Sequence, residues 1–201
     1  VTGVQMGPDG SPAMKDGKPI FRSYLVNGKD ITPHGNWDTL GLRATGSVDF
    51  TVQDAFVPER YAIDVLGSSP IAEDRQLRGG IMVTLSMLHT AFALGSSRRL
   101  LTELTAFAQR PSSRGTTLAD SPVFRDALAR QEIAVRSARA LVYETWDNID
   151  AKMKAGQEID RRTVTWLRAS MANMHVAARD LAEFTFAKAG GVSLRAGTLQ
   201  R

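Results

Sequence analysis

The groups in this sequence that are able to do chemistry are few and scattered. Its three histidines, His34, His89 and His175, stand far apart along the chain. Single satisfied structural histidines are a simpler reading of them than a metal site. There is no cysteine, which excludes thiolate chemistry, disulfides and Cys-based metal centres. No G-x-x-x-x-G-K-[ST], H-E-x-x-H or G-x-S-x-G pattern occurs. Asp147, Asp150 and Glu158 have the carboxylates for acid–base work, but near a helix end they read more simply as a solvated face. Arg98-Arg99 and Arg161-Arg162 suit phosphate contacts or an ordinary basic surface. One stretch is denser than the rest. Residues 37–59, WDTLGLRATGSVDFTVQDAFVPE, pack a tryptophan, glycine turns, a Thr-Gly-Ser and a Val-Pro into a single span.

Two kinds of element must position these groups. Up to about Leu66 the chain has strand and turn patterning. Ile20–Val26 is a β-prone run that ends in the turn signal Asn27-Gly28. Ser47–Gln53 alternates, with Val48, Phe50 and Val52 on one face, as a half-buried antiparallel strand does. Gly35, Gly41 and Gly46 punctuate the approach, and Pro58 closes the next segment. A Gly/Ser/Pro-rich linker over 67–79 then leads to a helical half, 80–201.

The first helix is expected from about Gly80 to Gln109, with Ile81, Leu85, Leu88 and Phe92 on its core face, continued by Leu100, Leu101, Leu104 and Phe107. After the polar loop RPSSRGTTLAD, Ser121-Pro122 reads as an N-cap with proline at the first helical position. A second helix, with Phe124, Leu128, Ala134, Ala138, Leu141, Ile149 and Met153 inward, ends near Gly156. A third begins near Ile159, carries Leu167, Met171, Met174, Leu181 and Phe184, and stops at Gly190-Gly191. The fold class is therefore α+β: a partial antiparallel β-domain over 1–66, then an antiparallel up-down helical bundle.

Composition is that of a globular chain: 43% hydrophobic, 23% charged, net charge +4. The basic balance fits an anionic ligand or simple solubility. Glu132, Glu144, Asp147 and Asp180 interrupt any continuous basic stripe, so a nucleic-acid partner is not expected. No apolar run is read as approaching the roughly 18 residues of a membrane span, and VTGVQMGPDG has no signal-peptide pattern. A cytoplasmic location is expected.

The stretch 37–59 resembles the end of the middle β-domain of the acyl-CoA dehydrogenase superfamily, where W-x-x-L-G-x-R-A-T-G-S, a strand and V-P lead into a C-terminal helical domain. HTAFALGSSRRLLTEL resembles the first helix of that domain. FAQR with LADSPVFRDAL resembles the arginine-containing turn and second helix, and AKAGGVSLRAGTLQR the end of the third. The resemblance runs collinearly over nearly the whole chain.

It implies a bound flavin, FAD or FMN. Trp37 would then wall the isoalloxazine site or brace the corner between sheet and bundle, and Arg43 would bind an anionic group or brace the turn. Thr45 and Ser47 would offer hydroxyls. Arg110 matches an arginine that reaches the dinucleotide pyrophosphate across a subunit interface, and Gly190-Gly191 matches a turn near the same cofactor, besides capping the helix. The resemblance further implies that the chain starts within the β-domain and stops where the family's last helix begins, with the catalytic residue outside it. Ser86 stands about where many dehydrogenases carry an arginine, and with His89 is a candidate for substrate contact. No glutamate stands in the stretch of the first helix that serves as base in some members. ATGS and AGGVSL resemble the branch of flavin-dependent monooxygenases that receive reduced flavin from a separate reductase and hydroxylate aromatic or heterocyclic substrates. True acyl-CoA dehydrogenation is the alternative. A homo-oligomer, dimer or tetramer, acting on a small molecule is implied by either.

Overall fold

The computed structural model describes residues 1–39, 41–64 and 79–194. The chain divides into two compact units, Val1–Ser69 and Pro70–Arg201. The linker expected over 67–79 lies, save for Gly79, outside the described residues.

In the first unit the strands are short. β1 (Thr2–Val4), β4 (Phe21–Tyr24) and β7 (Ala62–Ile63) form a three-stranded antiparallel sheet in the order β1-β4-β7. β2 (Met14–Lys15) pairs with β3 (Lys18–Pro19), and β5 (Thr32–Pro33) pairs with β6 (Phe50–Thr51). Asn27 does make a turn: its side chain accepts the Lys29 N–H at 3.1 Å and caps a 3-10 turn over Gly28–Asp30. The strand expected over Ser47–Gln53 shrinks to two residues. The Val48 N–H is spent on Gly46 O at 2.8 Å and the Asp49 N–H on the Asn36 side chain at 2.9 Å. The partner strand ends at Pro33, whose successor His34 still donates to Asp49 O. Phe50 is exposed, while Val48 and Val52 are half-buried.

The second unit is an up-down-up set of helices: α1 (Gly80–Ala108), α2 (Pro122–Lys154) and α3 (Arg161–Ala189). α3 packs along α1 on one side and α2 on the other, while α1 and α2 touch sparsely. Three layers fill the core. Val83, Ile149, Met153 and Leu167 occupy one end. Ala93, Val135, Ala138, Val142, Met174, Ala177 and Leu181 hold the middle. Leu104, Ala108 and Phe124 close the other end, where Phe124 stacks on Phe184 at 6.1 Å.

The helix ends follow their local chemistry. The Ser121 hydroxyl accepts the Phe124 N–H, with Pro122 at the first position of α2. Gly156 takes φ +65° while Gly156 N–H and Gln157 N–H return to Met153 O and Lys152 O, a Schellman closure. Asp160 caps α3 by accepting the Thr163 N–H at 2.7 Å and holds the Lys152 ammonium at 2.8 Å, tying the end of α2 to the start of α3.

Lys152 first, then the Thr163 N–H, hold the Asp160 carboxyl well below the usual carboxylate range. A depressed folded-state pKa stabilises above the unfolded value of about 4 and is lost as pH falls toward the folded one. Asp160→Ala is therefore expected to lower the melting temperature by a few degrees at pH 7. That gap should close on acidification from about pH 5 to about pH 2, as scanning calorimetry across pH would show.

α1 corrects two expectations. Leu85, Leu88 and Phe92 do not face the core: they are 41%, 58% and 66% exposed, and Ala134 of α2 is exposed too. The buried side of α1 is instead Val83, Ser86, Thr90, Ala93 and Ser97. The hydroxyls of Ser86, Thr90 and Ser97 donate to Met82 O, Ser86 O and Ala93 O, so small, internally satisfied side chains let α3 approach closely. α1 is also long and apolar enough, by length and composition, to cross a membrane, since no charged residue stands between Gly80 and Ser97. Interspersed Ser, Thr and Gly hid that run, and the same composition serves a helix seated in a bundle.

Candidate functional site

In the first unit, the dense stretch folds back on itself. Leu42 and Gly46 both take left-handed backbone, φ +58° and +56°, flanking a 3-10 turn over Arg43–Thr45. The Trp37 indole N–H and the Thr45 hydroxyl both donate to Leu42 O, at 3.1 and 2.8 Å, and Ser47 Oγ donates to Thr45 Oγ1 at 3.2 Å. Arg43 donates to Thr39 O at 2.8 Å and pairs with Asp38 at 2.9 Å. Arg43 thereby braces the turn. Trp37, Arg43, Thr45 and Ser47 thus form one self-bonded turn. Trp37 is half-buried, and the Ser47 and Thr45 oxygens keep free lone pairs. Leu42 is 73% exposed in a conformation that L-residues seldom adopt, a pattern that gathers at functional turns.

In the second unit, a cavity of about 540 Å³ opens where α1 stops. Phe107, Arg110, Thr116, Lys188 and Val192 are on its wall. The Arg110 N–H closes the helix on Phe107 O at 3.0 Å, and its guanidinium lies 6.0 Å from the Phe107 ring centre. The following loop is self-supporting. Ser112 N–H donates to Thr116 O at 2.7 Å, Gly115 turns with φ +78°, and Asp120 accepts both the backbone and the hydroxyl of Thr117. Across the cavity Lys188 stands with its ammonium 5.6 Å from the Phe184 ring centre. Among the described residues neither Arg110 nor Lys188 makes an ion pair. Two exposed cations beside Ser112, Thr116 and Thr117 hydroxyls suit an anionic, phosphate-bearing ligand, and the volume is within the range of small-molecule sites.

Gly190 and Gly191 lie in the chain between Lys188 and Val192, both on the cavity wall. Gly190 ends α3 at φ 57°, ψ −137°, a region closed to residues with a Cβ, and the buried Ser193 hydroxyl donates to Gly190 O at 2.5 Å. Gly191 is outside the left-handed region, and a Cβ there meets nothing within 4 Å. Gly190→Ala is expected to cost about 1–3 kcal/mol in urea unfolding and Gly191→Ala less than about 0.5 kcal/mol. A stable Gly191→Ala protein with weakened ligand binding would mark Gly191 as a point of close approach.

Ser86 is 5% exposed and its hydroxyl is already given to Met82 O, so it faces the helix seam and not a ligand. That corrects its place as a substrate contact. The seam residues are too small to register as a hydrophobic face. His89 is exposed, and the fold brings it to His175, ring centres 6.2 Å apart. Sequence distance concealed that pair, since helix packing alone joins them. Among the described residues no cluster of three metal-ligating side chains occurs. Asp147 and Asp150 lie on a groove of about 440 Å³ between α1 and α2, whose floor includes Trp146, Leu94 and Met153. Sequence reasoning missed Lys188, Thr116 and Ser193. The signal was there: a lysine two residues before the Gly-Gly turn, one helix face from Phe184.

Comparison with known proteins agrees with this architecture. The family model "Acyl-CoA dehydrogenase, C-terminal domain" matches residues 87–201. The indole-3-acetate monooxygenase of Pseudomonas putida is 34% identical over 149 residues, which is 73% of this chain and 37% of that protein. The pigment production hydroxylase of Rhodococcus erythropolis is 29% identical over 128 residues, 58% of this chain and 33% of that protein. Among solved structures, XiaF from Streptomyces sp. in complex with FADH2 and glycerol superimposes with a TM-score of 0.81 at 19% identity, covering 100% of this chain and 52% of that one. The 3-HSA hydroxylase from Rhodococcus sp. RHA1 gives a TM-score of 0.76 at 20% identity, covering 99% and 55%. The chain thus spans about a third of the length of those curated relatives and about half that of the solved structures. By the family match, the helix order and the shared fold, the chain belongs to the acyl-CoA dehydrogenase superfamily and carries its C-terminal helical domain.

Proposed function

We propose that this chain is a flavin-binding part of an oxygenase that uses reduced flavin, delivered by a separate reductase, to hydroxylate an aromatic or heterocyclic small molecule. The observation that carries it is the cation-lined cavity at the end of α1, which fits the phosphate end of FAD or FMN. The names of the related proteins, a monooxygenase and a hydroxylase, support the oxygenase chemistry. So does α1 itself: its single carboxylate, Glu103, is paired with Arg99 at 3.0 Å, leaving no unpaired carboxylate on that helix for α-proton abstraction from an acyl thioester.

Bound reduced flavin would supply the electrons and activate oxygen. The chain's own part is to hold and shelter it. Arg110 grips phosphate and the Gly190-Gly191 turn lets backbone come close. The exposed face of α1 with Leu85, His89 and Phe92 meets substrate in this reading and keeps water out.

A homo-oligomer, dimer or tetramer, accompanies it, because Ile133, Trp166 and Phe186 leave apolar surface on α2 and α3. A cytoplasmic enzyme is the matching location. The reading is tested by adding acyl-CoAs anaerobically to the full-length, flavin-loaded protein. Flavin absorbance should persist with acyl-CoA and bleach only with the reductase and reduced nicotinamide. Bleaching by acyl-CoA would make the protein a dehydrogenase.

A further inference from the structure

We infer that His89 and His175 form a divalent transition-metal site that clips α1 to α3. The inference rests on the helical unit alone and is independent of the flavin reading.

The two imidazoles come from different helices and meet with ring centres 6.2 Å apart and ring planes inclined at 59°. A metal bound at roughly 2.0–2.1 Å to one nitrogen of each ring sits between centres at about this separation or slightly less. Both stems are anchored by their chain neighbours. His89 precedes Thr90 and His175 follows Met174, residues that are 2% and 0% exposed in the bundle. The backbone is thus already in place for chelation, while the exposed His89 ring is free to turn toward the ion.

His34 is the contrast. Its Nε2 lies 2.7 Å from Thr51 Oγ1, as a satisfied structural histidine requires. Among the described residues neither the His89 ring nor the His175 ring makes a hydrogen bond or an ion pair. The cation one turn beyond His175, Arg179, is held by Asp180 at 2.6 Å, so its charge opposes a bound ion only weakly.

Neutral imidazole suits zinc, copper, nickel and cobalt ions, whereas calcium and magnesium take oxygen ligands. Among the described residues no third histidine or carboxylate joins the pair. Water therefore fills the other positions, and the ion exchanges more readily than one in a closed four-ligand cage.

Calorimetric titration of the full-length, tag-free protein with zinc chloride tests this. His89→Gln and His175→Gln are each expected to lower zinc affinity at least about tenfold, since loss of even an outer-shell partner of a ligand costs that much. His34→Gln should leave the affinity unchanged, and excess magnesium should not compete. His89→Cys, which puts another metal ligand at the same place, should recover most of the loss. Zinc should also raise the melting temperature of the parent by a few degrees and that of His89→Gln scarcely at all. His89 is exposed, so the zinc-free melting temperature of its variants should not move. Zinc affinity unaltered by both His89→Gln and His175→Gln, or no zinc uptake at millimolar concentration, overturns the site and leaves the flavin reading as it was.

Discussion

Leu104→Ala is expected to destabilise the bundle by about 2–5 kcal/mol, while Leu88→Ala, on the same helix, changes stability by less than about 0.5 kcal/mol. Leu104 is fully buried among Ala108 and Phe124, with Phe107, Leu118 and Phe184 packed against them, so truncation removes its transfer free energy and leaves a cavity. Leu88 is 58% exposed and loses little. At roughly 2–4 °C per kcal/mol for a protein of this size, Leu104→Ala should melt about 4–20 °C lower. The comparison keeps residue type and helix constant, so it reads only which face of α1 is core. Equal losses at the two positions would contradict the packing described.

Arg110→Ala is expected to weaken flavin binding roughly ten- to a hundredfold in the full-length protein, the equivalent of one charge-assisted hydrogen-bonded contact of about 1.5–3 kcal/mol. The ligand-free melting temperature should scarcely change. Arg110 is exposed beyond the last turn of α1, among the described residues it makes no ion pair, and its backbone closure on Phe107 O survives the substitution. Flavin titration and thermal melting of the same preparations give both numbers. Unchanged affinity would remove Arg110 from the site, and a large fall in ligand-free stability would make it a structural residue.

Much of the bundle was legible because its punctuation is local. Ser121-Pro122, Gly156 and Gly190 announce helix ends through backbone chemistry that needs no tertiary partner, and the structure ends its helices there. α2 and α3 have one apolar side, so Ile149, Met174 and Leu181 could be placed inward by period alone. α1 could not be read that way. It is apolar round most of its circumference, and the side it buries, Ser86, Thr90, Ala93 and Ser97, is chosen by how closely α3 can approach.

The short strands were over-read for a related reason. Alternation at Val48, Phe50 and Val52 states what a strand would bury, whereas Asn36, Gly46 and Pro33 decide how many ladder bonds are available. At the candidate site, Arg110 and Gly190-Gly191 were found through resemblance. Thr116 became visible only when α1, its loop and α3 met around one cavity.

The most direct test of the proposed oxygenase activity follows labelled oxygen. The full-length protein is supplied with reduced flavin from a reductase, isotopically labelled dioxygen, and a panel of aromatic and heterocyclic acceptors. The account predicts a hydroxylated product carrying one labelled oxygen atom per turnover, and no product when reduced flavin or dioxygen is withheld. A product whose new oxygen comes from water, or oxidation of an acyl-CoA thioester with no oxygen incorporated, would contradict it.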